Sequence, residues 1–327
     1  IMGVYDKRKA FKPYEYPEVL EFREAIKHSR WDVEEFNLEA DAFEFNHKLS
    51  QSEQELIKRA LLAISQIEIA VKTFWAKLGE HLPKPEFNSV GITFAENEIV
   101  HAEAYSKLLE VLGFNNEFDQ LLTNPVIGGR VDYLTKYLKN EADSVKEAYT
   151  LNLTLFSLFI ENVSLFSQFA IIKSFLQNNN YLKEVDTIVE ATMKEETIHG
   201  KFGVYLINLI KKEYPKWFNE DFYEKIEKAC KKAFNAEMKI IDWMFEAGEV
   251  DSVSKEAIIE FIKHRFNSSL KDIGAKEIFE IDDKKLSSLY WMVEAIYAYT
   301  RNDFFCTQST NYTKFNKSVT INDLFDD

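Results

Sequence analysis

From Ser50 onward, apolar residues return every three or four positions through long stretches, and all six prolines fall outside those stretches. That period belongs to helices that bury one face. Ser50 with Glu53 is a capping-box pair, and Leu56, Leu61, Ile64, Ile67, Val71, Phe74 and Leu78 keep one face to about Gly79. His81 to Pro85 closes that helix, and a second is predicted over 86–112 with Gly113 as its stop. Beyond the loop Asn124 to Gly129, helical patterns run near 131–138, 141–176, 182–210, 219–247, 254–270 and 284–305. Residues 1–49, broken by Pro13 and Pro17, are expected to wrap this bundle irregularly. Residues 1–305 thus read as one all-α domain, and 306–327, polar and aperiodic, as a flexible tail.

Composition narrows the function. Ten glycines and six prolines in 327 residues are too few for the turns of an all-β fold. Forty basic residues against 54 acidic ones leave a net charge of −14, the wrong sign for neutralising nucleic-acid phosphates. Two cysteines, Cys230 and Cys306, make no disulfide framework or four-thiolate zinc site and fit a reducing cytoplasm. The most apolar run, Leu151 to Phe175, is interrupted by Glu161, Asn162, Gln168 and Lys173, so it reads as a buried helix and not a membrane span. Ile at position 1 is consistent with a trimmed amino terminus.

Glu98-Ile-Val-His101 and Glu196-Thr-Ile-His199 each place a carboxylate and an imidazole three residues apart, hence on one helix face. A third match, Glu44-Phe-Asn-His47, precedes the first cap and reads as coincidence. Glu68 and Glu161 are acids embedded in apolar faces, where a charge needs a partner. In order the chain gives Glu68, Glu98-x-x-His101, Glu161, Glu196-x-x-His199: one motif written twice. That set is the ligand pattern of ferritin-like dimetal carboxylate proteins. Glu68 and Glu98 lie roughly 17 Å either side of their turn at 1.5 Å per residue, and Glu161 and Glu196 are similarly placed about theirs. Antiparallel hairpins therefore bring six ligands into one layer of a four-helix core, a donor set suited to two Fe or Mn ions better than to tetrahedral zinc. Tyr105 and Lys72 follow His101 and Glu68 by four residues, each one turn from the site. Tyr105 also reads as an ordinary core tyrosine, and Lys72 as a surface lysine or as a cation that pairs a carboxylate or attracts an anionic oxidant.

Arg30-Trp31, Glu68, Ala95-Glu-Asn-Glu-Ile-Val-His-Ala-Glu-Ala-Tyr105, Glu161-Asn-Val-Ser-Leu-Phe-Ser-Gln-Phe-Ala170 and Lys194-Glu-Glu-Thr-Ile-His-Gly200 together resemble, in order and spacing, the small (beta) subunit of class I ribonucleotide reductase. The resemblance implies a homodimeric oxidoreductase subunit that generates a radical and passes it to a large (alpha) subunit, where ribonucleotides become deoxyribonucleotides. It implies one metal at Glu68, Glu98 and His101 and another at Glu161, Glu196 and His199. Tyr105 matches the tyrosine many members oxidise, and Trp31 and Glu195 match a relay through His101. The tail matches the segment that docks the large subunit, with Tyr312 as relay tyrosine. No phosphate loop is needed or present.

Three features depart from the common pattern. Glu68 stands where many members have Asp, and Glu195 replaces the usual relay Asp. With Glu68 and Lys72 beside it, Tyr105 reads as a bystander to a dimanganese or mixed-metal centre, activated by superoxide, that itself stores the oxidising equivalent; a diiron centre is the alternative. Two rivals remain in view: a related two-metal oxidase that handles an apolar ligand, and a ferritin-like iron store.

Overall fold

A computed structural model describes residues 3–121, 123–138 and 144–311, the side chains of 69–72, 131, 133–138 and 301–311 excepted. Among them are fourteen α-helices and no named strand: α1 Leu20–His28, α2 Glu39–His47, α3 Gln51–Ala76, α4 Leu78–His81, α5 Pro85–Leu112, α6 Asn115–Leu121, α7 Pro125–Leu138, α8 Val145–Leu155, α9 Phe166–Asn179, α10 Lys183–Glu213, α11 Glu220–Met244, α12 Lys255–Asp272, α13 Asp283–Leu286 and α14 Tyr290–Asn311. The expected all-α architecture holds.

Helix ends follow the local chemistry. Ser50 and Glu53 form the reciprocal capping box that starts α3, and Gly113 adopts φ 85°, ending α5. Asn180 takes the same left-handed role after α9. The long helix expected over 141–176 differs in its interior: α8 passes into a π-helical segment, Phe156–Ser164, before α9 resumes. The last helix continues past 305 to Asn311; Tyr312 and the rest of the tail lie outside the described residues.

α3 and α5 form one antiparallel hairpin, and α8 to α9 with α10 the other. Leu61, Ile64, Phe94, Leu108, Ile188 and Phe202 of these hairpins are essentially inaccessible, as are Phe159 and Phe166, which pack toward α12. Complete burial of such side chains contributes about 1.5–3 kcal/mol each. Gly91 lets α5 close on the end of α3, since a Cβ there would sit 2.6 Å from the Trp75 carbonyl oxygen. Val145–Asn179 is long and apolar enough to cross a membrane, but the apolar window within it is buried in this core. Residues ahead of α1 pack against α5, where Glu86 accepts hydrogen bonds from the Arg8 guanidinium and from the Glu15 and Tyr16 amides.

Candidate metal centre

Four helical segments bring the six predicted groups together. Glu68 (α3), Glu98 and His101 (α5), Glu161 (π segment) and Glu196 and His199 (α10) are each at most 1% exposed. One ligand atom from each of Glu68, Glu98, His101 and Glu196 lies within 4.8 Å of the others, and the same holds for Glu98, Glu161, Glu196 and His199. Glu98 and Glu196 therefore belong to both groups, a sharing that the one-metal-per-motif expectation lacked. His101 Nδ1 lies 3.5 Å from Glu68 Oε2 and 3.0 Å from Glu196 Oε1. His199 Nδ1 lies 2.9 Å from Glu98 Oε1 and 3.7 Å from Glu161 Oε2.

The donor set fits two divalent cations. Among the described residues, both oxygens of Glu68, Glu98 and Glu196, Oε2 of Glu161 and Nδ1 of both histidines are buried and meet no hydrogen-bond partner. Buried polar atoms are seldom left so, and atoms left so around a common centre are poised for a cation. Four carboxylates with two neutral imidazoles carry the charge that two dipositive ions cancel, and oxygen–nitrogen sets of this kind suit Mn and Fe.

Without cations, protons must perform that neutralisation. Burial pushes Glu68 and Glu161 well above the usual carboxylate range. Burial acts the same way on Glu98 and Glu196, but His199 and His101 outweigh it and hold both below that range. Burial lowers the histidines, yet surrounding carboxylates, led by Glu68 for His101 and Glu98 for His199, raise both well above an ordinary imidazole.

Around the six lies a shell of specific contacts. Glu195 accepts hydrogen bonds from Trp31 Nε1, from Ser29 Oγ (3.0 Å) and from Asn97 Nδ2 (2.6 Å). His101 Nε2 stands 3.4 Å from the oxygen that Trp31 engages. The Trp31 and His101 rings stack at 6.2 Å and 18°. On the opposite side Trp75 donates Nε1–H to Glu161 Oε1 at 2.8 Å, leaving Oε2 for a cation. Sequence reasoning missed Ser29, Asn97 and Trp75. Asn97 precedes His101 by four residues and Trp75 follows Glu68 by seven, spacings that share a helix face and carried the signal; Ser29 had none.

Tyr105 is buried, and among the described residues no group meets its hydroxyl at hydrogen-bonding geometry. Burial, then the charge of Glu68, raises its phenol above the ordinary value; nearby Thr192 offsets only part of this. The Lys72 side chain and Tyr312 lie outside the described residues. Glu44-x-x-His47 takes no part: Glu44 accepts the Leu182 amide at 2.8 Å, and exposed His47 turns to the Phe43 carbonyl.

Comparison with known proteins identifies the family. The family model for the ribonucleotide reductase small chain matches residues 8–286. A probable ribonucleoside-diphosphate reductase small subunit of Invertebrate iridescent virus 3 is 22% identical over 322 residues, covering 94% of this chain and 85% of that protein. Among solved structures, Streptococcus sanguinis dimanganese(II)-NrdF superposes with a TM-score of 0.73 at 19% identity, covering 87% of this chain and all of that one. An R2-like ligand-binding oxidase with a Mn/Fe cofactor gives 0.68 at 18% identity, covering 81% and 96%. At such identities the two structures speak for the fold.

Proposed function

Because the chain belongs to the ribonucleotide reductase small-chain family, we propose that it is the radical-generating small subunit of a ribonucleoside-diphosphate reductase, handing an oxidising equivalent to a large subunit that makes deoxyribonucleotides. The observation that carries this reading is the contact chain from Trp31 through Glu195 to His101, which leads from the protein's rim into the six-residue cluster. Storage of iron needs no such chain.

Glu68, Glu98 and His101 would hold one cation and Glu161, Glu196 and His199 the other, with Glu98 and Glu196 spanning both. When bound, a manganese or iron pair supplies reactivity toward an oxygen species that side chains lack. The chain's own residues control where the oxidising equivalent goes. Trp31 would be the group from which a bound metal pair draws an electron by way of His101, and Glu195 the carboxylate that takes the Nε1 proton, so that no uncompensated charge would be left in the low-dielectric interior. Ser29 and Asn97 hold the second oxygen of Glu195 and fix its orientation. Excluding water from the cluster protects the stored equivalent from stray reductants.

Tyr105 is a bystander in this reading. A phenol that is oxidised must shed its proton, and among the described residues neither Glu68 nor Thr192, neighbours that perturb it, meets the hydroxyl at hydrogen-bonding geometry. The centre is then dimanganese or manganese–iron, activated by superoxide, in preference to diiron with a tyrosyl radical. A tyrosyl-radical signal lost with turnover in Tyr105→Phe would reverse that assignment. Residues 306–327 dock the large subunit and present Tyr312 as the next relay residue beyond Trp31, in a cytoplasmic homodimer. Deleting Ser309 to Asp327 tests the whole proposal: reductase turnover with the large subunit is lost while metal content is retained. Unchanged turnover would favour the ligand-binding oxidase.

A further inference from the structure

Glu161 is carried by the only π-helical segment among the described residues, 156–164. In such a segment each N–H reaches back five residues in place of four. By Phe169 the ladder has returned to four-residue bonding, its N–H donating to the Leu165 carbonyl at 3.1 Å. At such a return one carbonyl is passed over by the ladder, and a buried carbonyl requires a donor.

Two arginines from other helices supply donors at this exit. Arg265 of α12 directs Nε and Nη2 to the Asn162 carbonyl at 2.9 and 2.7 Å, and its guanidinium lies 4.1 Å from the Phe166 ring centroid. Arg130 of α7, 1% exposed, directs Nη2 to the Ser164 carbonyl at 2.8 Å and Nη1 to the Ala63 carbonyl of α3 at 2.9 Å. It thereby joins the two segments that carry Glu161 and Glu68. Glu237 of α11 faces it at 3.5 Å. The forked guanidinium makes both arrangements possible; a lysine ammonium lacks that geometry. Across the bundle α10 fits this backbone closely: a Cβ at Gly200 would lie 2.0 Å from Asn162 Oδ1 and one at Gly203 2.1 Å from Ser157 Oγ.

We propose that Arg265 and Arg130 are positioning residues that lock residues 156–164 in the π register and so hold Glu161 at the second metal position. This rests on the two-metal reading above. A return to α bonding would expel one residue and turn Glu161 by about 100° relative to one flank of the helix, away from His199 and Glu196. Both arginines donate to backbone carbonyls, so their effect on metal binding runs through the backbone.

The test is a Mn(II) titration of the full chain, followed by electron paramagnetic resonance of free and bound manganese, for wild type, Arg265→Lys and Arg265→Met. The expected result is two Mn(II) per wild-type chain and, in Arg265→Met, a second Mn(II) bound about 10–100-fold more weakly with the first unchanged. Arg265→Lys, which keeps the charge but not the fork, recovers only part of the loss. General destabilisation would weaken both positions together, and that result, or two unaltered positions, overturns the proposal. Fewer than two Mn(II) in wild type would overturn the two-metal reading itself and the inference with it. Should Arg265→Met not fold, Arg130→Met with Glu237→Met, which leaves no unpaired buried charge, must show the same selective loss.

Discussion

At the scale of single residues, the cluster is a charge-balanced cage whose protons and cations compete for the same atoms. Burial raises Glu68 and Glu161, and neighbouring carboxylates outweigh burial to raise His101 and His199, so protons are held more tightly at these atoms of the metal-free chain than on ordinary side chains. Loading must displace them, so metal affinity falls as pH is lowered and rises as it is raised. Calorimetry of Mn(II) binding in two buffers of different ionisation enthalpy should show proton release; equal heats in both would contradict it. Glu195 makes a separable prediction. Glu195→Gln leaves the six groups intact but gives the Trp31 proton no carboxylate to move to, so turnover with the large subunit falls by about two orders of magnitude or more at unchanged metal content. Wild-type turnover would remove Glu195 from the relay. Four of the six central groups were legible because Glu-x-x-His puts both ligands on one helix face, and Glu68 and Glu161 because an acid in an apolar face needs a partner. Ser29 was not, because its contact with Glu195 joins chain positions far apart and leaves no periodic trace.

At the scale of helices, apolar period and caps placed most long helices within a few residues. Ser50 with Glu53 and the positive φ of Gly113 show why: those ends are set by local chemistry. The stretch Asn124 to Gly129, expected as a loop, is instead the start of α7, Pro125–Leu138. The π segment escaped because Phe156–Ser164 is buried throughout. A run buried on every side, polar and apolar residues alike, gives no phase from which a register change can be read. The α3–α5 hairpin offers a stability test. In a helix interior Ala is favoured over Gly by about 0.8–1.0 kcal/mol, but a Cβ at Gly91 meets the Trp75 carbonyl oxygen at 2.6 Å. Overpacking of that kind costs about 1–3 kcal/mol. Gly91→Ala is therefore expected to lower the melting temperature of the metal-free protein, and a raised one would show that the helices have room to part.

At the scale of the whole molecule, the bundle buries the six-residue cluster, and Trp31, Glu195 and His101 form a contact chain into it. Four carboxylates buried together oppose folding unless neutralised, which links the fold to its cations. Family membership and the all-α architecture were legible in the repeated Glu-x-x-His order. Carboxylate sharing was not, because spacing fixes which face a side chain occupies and not which neighbour its second oxygen meets. The most direct measurement is anomalous diffraction from crystals of manganese- or iron-loaded protein. Two peaks per chain are expected between Glu98 and Glu196, one beside Glu68 and His101 and the other beside Glu161 and His199. A single peak, or ions bound away from these six residues, would contradict the two-metal centre.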